Sequence, residues 1–142
     1  MNSHIENYIR KHNIHIEYSN EVSFPAKKFD TPKGPVIIVN STLREEEQNQ
    51  AILHELGHNV YDKEVAGSYT NDDKVHSKME SNANKYMLQE TLNQYRAETD
   101  IDPHDINSIA FLEHHNLNLN LNEITRLLIK KMIDEDEKMQ LN

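Results

Sequence analysis

The chain has 142 residues, a formal net charge of -9 at pH 7 and no cysteine. This length predicts a single domain, and the absence of cysteine excludes disulfides, thiolate nucleophiles and cysteine-ligated zinc sites. The acidic balance and the short basic clusters disfavour direct binding to nucleic acid. Because the sequence has neither an apolar run that could span a membrane nor a recognisable signal peptide, it predicts a cytoplasmic protein without a membrane partner.

The N-terminal part of the chain combines one helical pattern with several strand patterns. Residues 3–13 have apolar side chains at helical spacing, and residues 14–18 alternate apolar with polar side chains, as a half-buried strand does. Residues 21–30 are ambiguous and could form an edge strand. After a turn at 31–35, four consecutive β-branched residues at 36–39 predict a strand that is covered on both faces.

The principal motif is the sequence His-Glu-Leu-Gly-His at positions 54–58. On a helix, His54 and His58 lie one turn apart on the same face, where two imidazoles can bind one zinc ion. Glu55 then projects beside the metal, where a water would bind, as in zinc peptidases. So short a motif also arises by chance. Whether it marks a metal site therefore depends on its context, which should include a surrounding helix, a preceding strand and a third ligand downstream.

Residues 43–61 predict the helix that the motif requires. Thr42 and Glu45 have the spacing of a capping box, which places the start of this helix after Thr42. Gly57 lowers helix stability, so we expect another segment to pack closely against it. The polar stretch 62–75 that follows is long for a connection and could line or cover a cleft.

The third metal ligand has two candidates. Residues 76–95 predict a second long helix, and Glu80 near its start would complete a site of two histidines and one glutamate, with a fourth position left to water. Glu80 could instead only cap this helix together with Ser77. Glu64 occupies the ligand position of the pattern H-E-x-x-H-x-x-G-x-x-H, but Tyr61 stands where that pattern requires glycine.

The C-terminal part of the chain predicts two further helices. Residues 106–113 indicate a short helix, residues 116–122 a strand or an extended linker, and residues 121–132 an amphipathic helix. We expect one domain over residues 1–133, followed by an acidic, frayed tail at 134–142. The pattern as a whole predicts an α+β fold, in which a short, mostly antiparallel sheet packs on several helices.

Four stretches of the chain also follow one another in a recognisable order: 34–41 (GPVIIVNS), 45–48 (EEEQ), 54–58 (HELGH) and 80–84 (ESNAN). This order resembles the strand, acidic helix start, H-E-L-G-H motif and downstream E-x-x-A-N/D segment of the ImmA/IrrE family of metallopeptidases, in its short phage and mobile-element type. The sequence at 86–88 (YML) departs from the more usual F-A-x-x-L-L of that family, which concerns packing and leaves the chemistry intact.

The resemblance implies a small zincin-like domain in which His54, His58 and Glu80 bind Zn²⁺ and Glu55 is the general base. It also implies a protein substrate, a helix-turn-helix repressor of a phage or mobile element, whose cleavage relieves repression. Two alternatives stay open. The protein could act as an anti-repressor that binds without hydrolysis, with a structural or vestigial metal site, or as a regulator of toxin–antitoxin type whose peptidase needs a stimulus.

The reaction also needs a donor to the oxyanion that forms on the scissile carbonyl. Four side chains of suitable chemistry are candidates, and the sequence does not choose among them: Tyr61, Tyr69, His76 and His104.

Overall fold

The computed structural model describes residues 3–61 and 73–140, with side chains described for 3–61 and 77–140. Within these residues a three-stranded sheet is combined with five helices, so the predicted α+β class is confirmed. In chain order the elements are α1 (Ser3–Lys11), β1 (His15–Ser19), β2 (Ala26–Thr31), β3 (Gly34–Asn40), α2 (Glu45–Tyr61), α3 (Asp73–Thr99), α4 (Ser108–His114) and α5 (Asn122–Gln140), with 3₁₀ turns at Pro103–Asp105 and Leu119–Leu121.

The sheet is mixed, with β3 in the centre. β2 and β3 form an antiparallel hairpin, whereas β1 runs parallel to β3 on its other side. One of the two strand pairs is therefore parallel, whereas the sequence predicts a mostly antiparallel sheet. Along β3, Ile37 and Val39 are buried while Val36 and Ile38 are only half-buried. The prediction that both faces of this strand are covered is confirmed for the face of Ile37 and Val39, whereas the other face is only partly covered.

The helix that carries the histidine motif begins later than the capping box predicts. It starts at Glu45, and the backbone N–H of Gln48 donates to the carbonyl of Arg44. The Thr42 hydroxyl instead donates to the Asn40 side-chain oxygen at 2.6 Å, and that oxygen also accepts from the Thr42 backbone N–H. These bonds hold Thr42 in the turn after β3, three residues before the first residue of the helix.

The chain divides into two compact units, and the division falls between Met87 and Leu88 within α3. The N-terminal unit contains the sheet, α1, α2 and the first half of α3. The prediction of one domain over residues 1–133 stays a prediction. The core residues of the N-terminal unit include Ile5, Ile37, Val39, Ile52, Leu53, Leu56 and Ala83. Those of the C-terminal unit include Leu88, Leu92, Phe111, Leu112, Leu128 and Met132.

Short polar caps organise the C-terminal unit. Asn107 caps α4, and Asn118 caps a 3₁₀ turn where the alternation of leucine and asparagine suggests a strand or linker. α5 continues to Gln140, so the acidic residues from position 134 are helical as far as that residue. Within this unit Arg96 of α3 forms an ion pair with Asp136 of α5, which fixes the acidic part of the helix.

None of the described helices is long and apolar enough to cross a membrane.

Candidate metal centre

α2 places two histidines on one face, close to the core. His54 and His58 are one turn apart, and their rings meet edge to face with centroids 4.9 Å apart. Their side chains are 24% and 14% exposed. This burial follows from the adjacent apolar stripe of α2, which includes the buried residues Leu53 and Leu56. The histidines therefore lie at the border between the core and solvent, where a metal can be both bound and reached.

α3 brings Glu80 onto both histidines. One carboxylate oxygen lies 3.1 Å from Nε2 of His54, and the other lies 2.9 Å from Nε2 of His58. Each of the three residues offers a donor atom, and these atoms all lie within 4.8 Å of one another. Ligands of a tetrahedral zinc with bonds of about 2.0–2.1 Å are about 3.3 Å apart, so this donor set fits such an ion. Within the described part of the chain it is the one group of this kind.

Gly57 explains why α3 can come so close to α2. A Cβ at this position would stand 2.8 Å from Cα of Ala83 and 3.0 Å from both the Ala83 carbonyl oxygen and Cβ of Tyr86. The contact of 2.8 Å with a backbone atom is shorter than real Cβ atoms show, so the observed packing of the two helices requires glycine at this position. The expectation that another segment packs closely against Gly57 is confirmed.

The environment of His54 favours the neutral imidazole. Burial lowers the pKa of His54 below its ordinary value of 6.5, and the neighbouring His58 acts in the same direction. The carboxylate of Glu80 and a hydrogen bond with Asn84 oppose this shift without cancelling it. A neutral ring keeps a lone pair for a metal, which is the form that a ligand must have.

Asn84 is a site residue whose contact the sequence analysis did not identify. It hydrogen-bonds to the His54 ring, the kind of second contact that fixes the orientation of a ligating imidazole. The signal was present in the spacing, because Asn84 follows Glu80 by one helical turn and so lies on the same face of α3. Glu55, the candidate base, is half-buried on α2 beside His54.

The two candidate oxyanion donors with described side chains belong to different units of the chain. Tyr61 lies on α2 one turn after His58, with its ring edge-on to Tyr86 at a centroid distance of 6.1 Å. His104 belongs to the C-terminal unit, where its ring faces two carboxylates. The other two candidates, Tyr69 and the side chain of His76, lie outside the described residues, as does the rival ligand Glu64.

A comparison with known families agrees with this geometry. The family model for the peptidase M78 group, described as the IrrE N-terminal-like domain, matches residues 9–117. The chain belongs to the IrrE N-terminal-like peptidase family. The resemblance seen in the sequence is thereby confirmed, and membership supports a function of metallopeptidase type. No curated protein and no solved structure matches the chain significantly.

The matched range of the IrrE N-terminal-like domain extends over the whole candidate metal centre. It contains the sheet, α2 and α3, and therefore all of His54, Glu55, His58, Glu80 and Asn84. The family assignment and the cluster of possible ligands thus refer to the same part of the molecule.

Proposed function

We propose that this protein is a zinc-dependent endopeptidase in which His54, His58 and Glu80 hold the metal and Glu55 is the general base. The observation that carries the proposal is the carboxylate of Glu80, whose two oxygens lie 3.1 Å and 2.9 Å from the two imidazoles. A glutamate that served only to cap the start of its helix would have no reason to face both histidines. The family assignment supports the same chemistry independently.

The donor set supports zinc as the metal. Two imidazoles and one carboxylate are a typical set for catalytic zinc, in which a fourth position stays open for water or substrate. Zinc, when bound, supplies a Lewis acid that makes water more acidic and polarises the scissile carbonyl. The lowered pKa of His54 keeps that ring in its ligating form near neutral pH.

The remaining chemistry belongs to side chains of this chain. Glu55 accepts the proton of the attacking water and then delivers it to the leaving amine, which is the usual task of the glutamate in this motif. Among the described candidates, Tyr61 is the one on the face of α2 that carries His58, and it is our choice for the donor to the oxyanion.

The substrate that we propose is a helix-turn-helix repressor of a phage or mobile element, cleaved in the cytoplasm to relieve repression. The likeness of the sequence to short ImmA/IrrE members supports this substrate. The charge of the chain supports it as well: a protein with a net charge of -9 is electrostatically complementary to a basic DNA-binding protein.

The test is to incubate the purified, zinc-loaded protein with a candidate repressor and to analyse the products by mass spectrometry. We expect repressor fragments with the wild type and none with Glu55→Gln, which removes the base and retains the ligands. Glu46→Gln, an exposed change on the same helix, is the matched control and should cleave normally. Fragments from Glu55→Gln would refute the mechanism. An intact repressor that nevertheless releases its DNA would instead identify an anti-repressor that acts by binding.

A further inference from the structure

His58 occupies the last turn of its helix, which is an unfavourable place for a metal ligand. α2 ends at Tyr61, and helix ends fray more readily than helix centres. The two neighbours of His58 add to the problem, because Gly57 and Asn59 both have low intrinsic helix propensity. A ligand in such a turn needs contacts from outside the helix to keep its position.

Asn59 provides such contacts. Its side chain is inside the fold, with only 7% of the residue exposed. The amide nitrogen donates to the Tyr8 hydroxyl on α1 at 3.0 Å, and the amide oxygen accepts from the Lys28 ammonium on β2 at 3.5 Å. Burying an amide is unfavourable unless its groups are hydrogen-bonded, so these two contacts make the buried position possible. One side chain thereby links α2 to two other elements.

Lys28 is itself held in place. Its side chain is only 15% exposed, and its ammonium also lies 3.5 Å from the carboxylate of Asp30 on the same strand. The ammonium is thus fixed between one carboxylate and the Asn59 amide. The result is a continuous polar junction from α1 through α2 to β2, formed by Tyr8, Asn59, Lys28 and Asp30.

This polar junction and the glycine contact hold the last turn from opposite sides. Residues two apart on an α-helix are separated by about 200° around its axis. Gly57 faces the backbone of Ala83 on α3, so Asn59 faces the other way, toward α1 and β2. Held by both contacts, α2 can neither rotate nor shift at this turn without breaking one of them. His58 lies between the two contact residues in the sequence.

We propose that Asn59 is a positioning residue, which fixes the last turn of α2 through Tyr8 and Lys28 and so presents His58 to the metal. The inference rests on the proposed function, because it assumes that His58 is a ligand. Metal–ligand distances in proteins lie within about 0.2 Å of their standard values, so a rotation of this turn that moves His58 away from the metal would weaken binding. Asn59 acts through His58 and touches neither the metal nor the substrate.

The test measures the zinc affinity of the metal-free chain by competition with a chromophoric chelator. We expect Asn59→Ala to weaken zinc binding about tenfold, as is common for changes of residues that orient metal ligands. Tyr8→Phe, which removes one hydroxyl, should weaken it by a smaller factor. The control is Asn40→Ala: this buried amide donates to the carbonyl of Val22, away from the metal cluster. It should lower the melting temperature and leave the zinc affinity as in the wild type.

A conservative variant separates positioning from general stability. Asn59→Asp keeps the acceptor for Lys28 and replaces the donor to Tyr8 with an oxygen that can accept from the Tyr8 hydroxyl, so it should bind zinc more tightly than Asn59→Ala. An Asn59→Ala protein that is folded, less stable and unchanged in zinc affinity would overturn the proposal. If that variant does not fold, Tyr8→Phe decides, and unchanged affinity there would have the same consequence. A wild type that binds no zinc would overturn the proposed function, and the positioning role with it.

Discussion

Gly57 of α2 and Ala83 of α3 lie so close together that a Cβ on the glycine would stand 2.8 Å from the alanine Cα. This contact brings the two helices near enough for the Glu80 carboxylate, one turn before Ala83, to reach both histidines at 3.1 Å and 2.9 Å. The geometry of the candidate metal centre therefore depends on the absence of a single methyl group.

Gly57→Ala tests this dependence. Alanine at an ordinary helical position would stabilise the protein by about 1 kcal/mol relative to glycine. Here the added methyl group meets backbone atoms of α3, and overpacking typically destabilises by about 1–3 kcal/mol. We expect a net loss in the free energy of unfolding, measured by urea denaturation, and weaker zinc binding. Ala97→Gly, at an exposed position of α3, measures the difference in helix propensity between alanine and glycine in this protein, without a packing contact. A Gly57→Ala protein more stable than the wild type would contradict the packing.

Glu80→Ala tests the third ligand. The wild type, purified without chelator, should contain a single zinc ion per chain, and the variant should lose most of it, because two imidazoles alone leave the ion poorly held. Metal content is measured by atomic emission. Glu98→Ala, exposed near the end of the same helix, is the control and should retain the metal. Equal zinc content in wild type and Glu80→Ala would return the third position to Glu64 or to water.

Asn84→Ala tests the contact that orients His54. Loss of the hydrogen bond frees the ring to rotate, and partners of this kind typically contribute about 10–100-fold to metal affinity. We expect weaker zinc binding in a competition titration, with little change in the melting temperature of the metal-free protein. Asn82→Ala, which removes an amide of the same size from the same helix, is the matched control. Equal affinities for the two variants would show that the Asn84 contact has no role in binding.

The site is more predictable from the sequence than the sheet is, because local helical spacing encodes most of it. His54 and His58 must share a face wherever their helix forms, and Asn84 must share one with Glu80. The distance between the two helices is not local. Its one sequence signal is Gly57, a residue that is unfavourable in a helix unless something packs against it.

The sheet shows where local patterns fail. Each strand has a recognisable pattern, but β1 pairs with β3 and not with β2, the next strand in the sequence, and nothing within β1 indicates the partner or the direction. The predicted start of α2 is wrong for another reason. Thr42 has the chemistry of a cap, but its hydroxyl and its backbone N–H both donate to the side chain of Asn40, which holds Thr42 in the turn before the helix. The first failure comes from pairing between separate segments, and the second from a short-range hydrogen bond that the capping pattern does not take into account.

His104 in the C-terminal unit provides a prediction about pH. Its Nδ1 lies 2.9 Å from the Asp102 carboxylate, and its Nε2 lies 3.5 Å from that of Glu137 on α5. The hydrogen bond with Asp102 is the principal reason why the pKa of His104 is raised above 6.5, and Glu137 adds to it. The backbone N–H of His104 also donates to Asp102 and lowers the pKa of that carboxyl. The two residues thus stabilise each other's charged forms.

A raised pKa means that the folded protein binds this proton more tightly than the unfolded chain does. The resulting stabilisation is fully present below the ordinary histidine pKa, and it disappears as the pH rises through the raised value. We therefore expect His104→Gln to destabilise the protein more at about pH 5 than at about pH 9 in urea denaturation. In an NMR titration of the His104 ring, Asp102→Asn should lower the midpoint more than Glu137→Gln does, because Asp102 is the larger cause. The reverse order would show that α5, through Glu137, controls this proton.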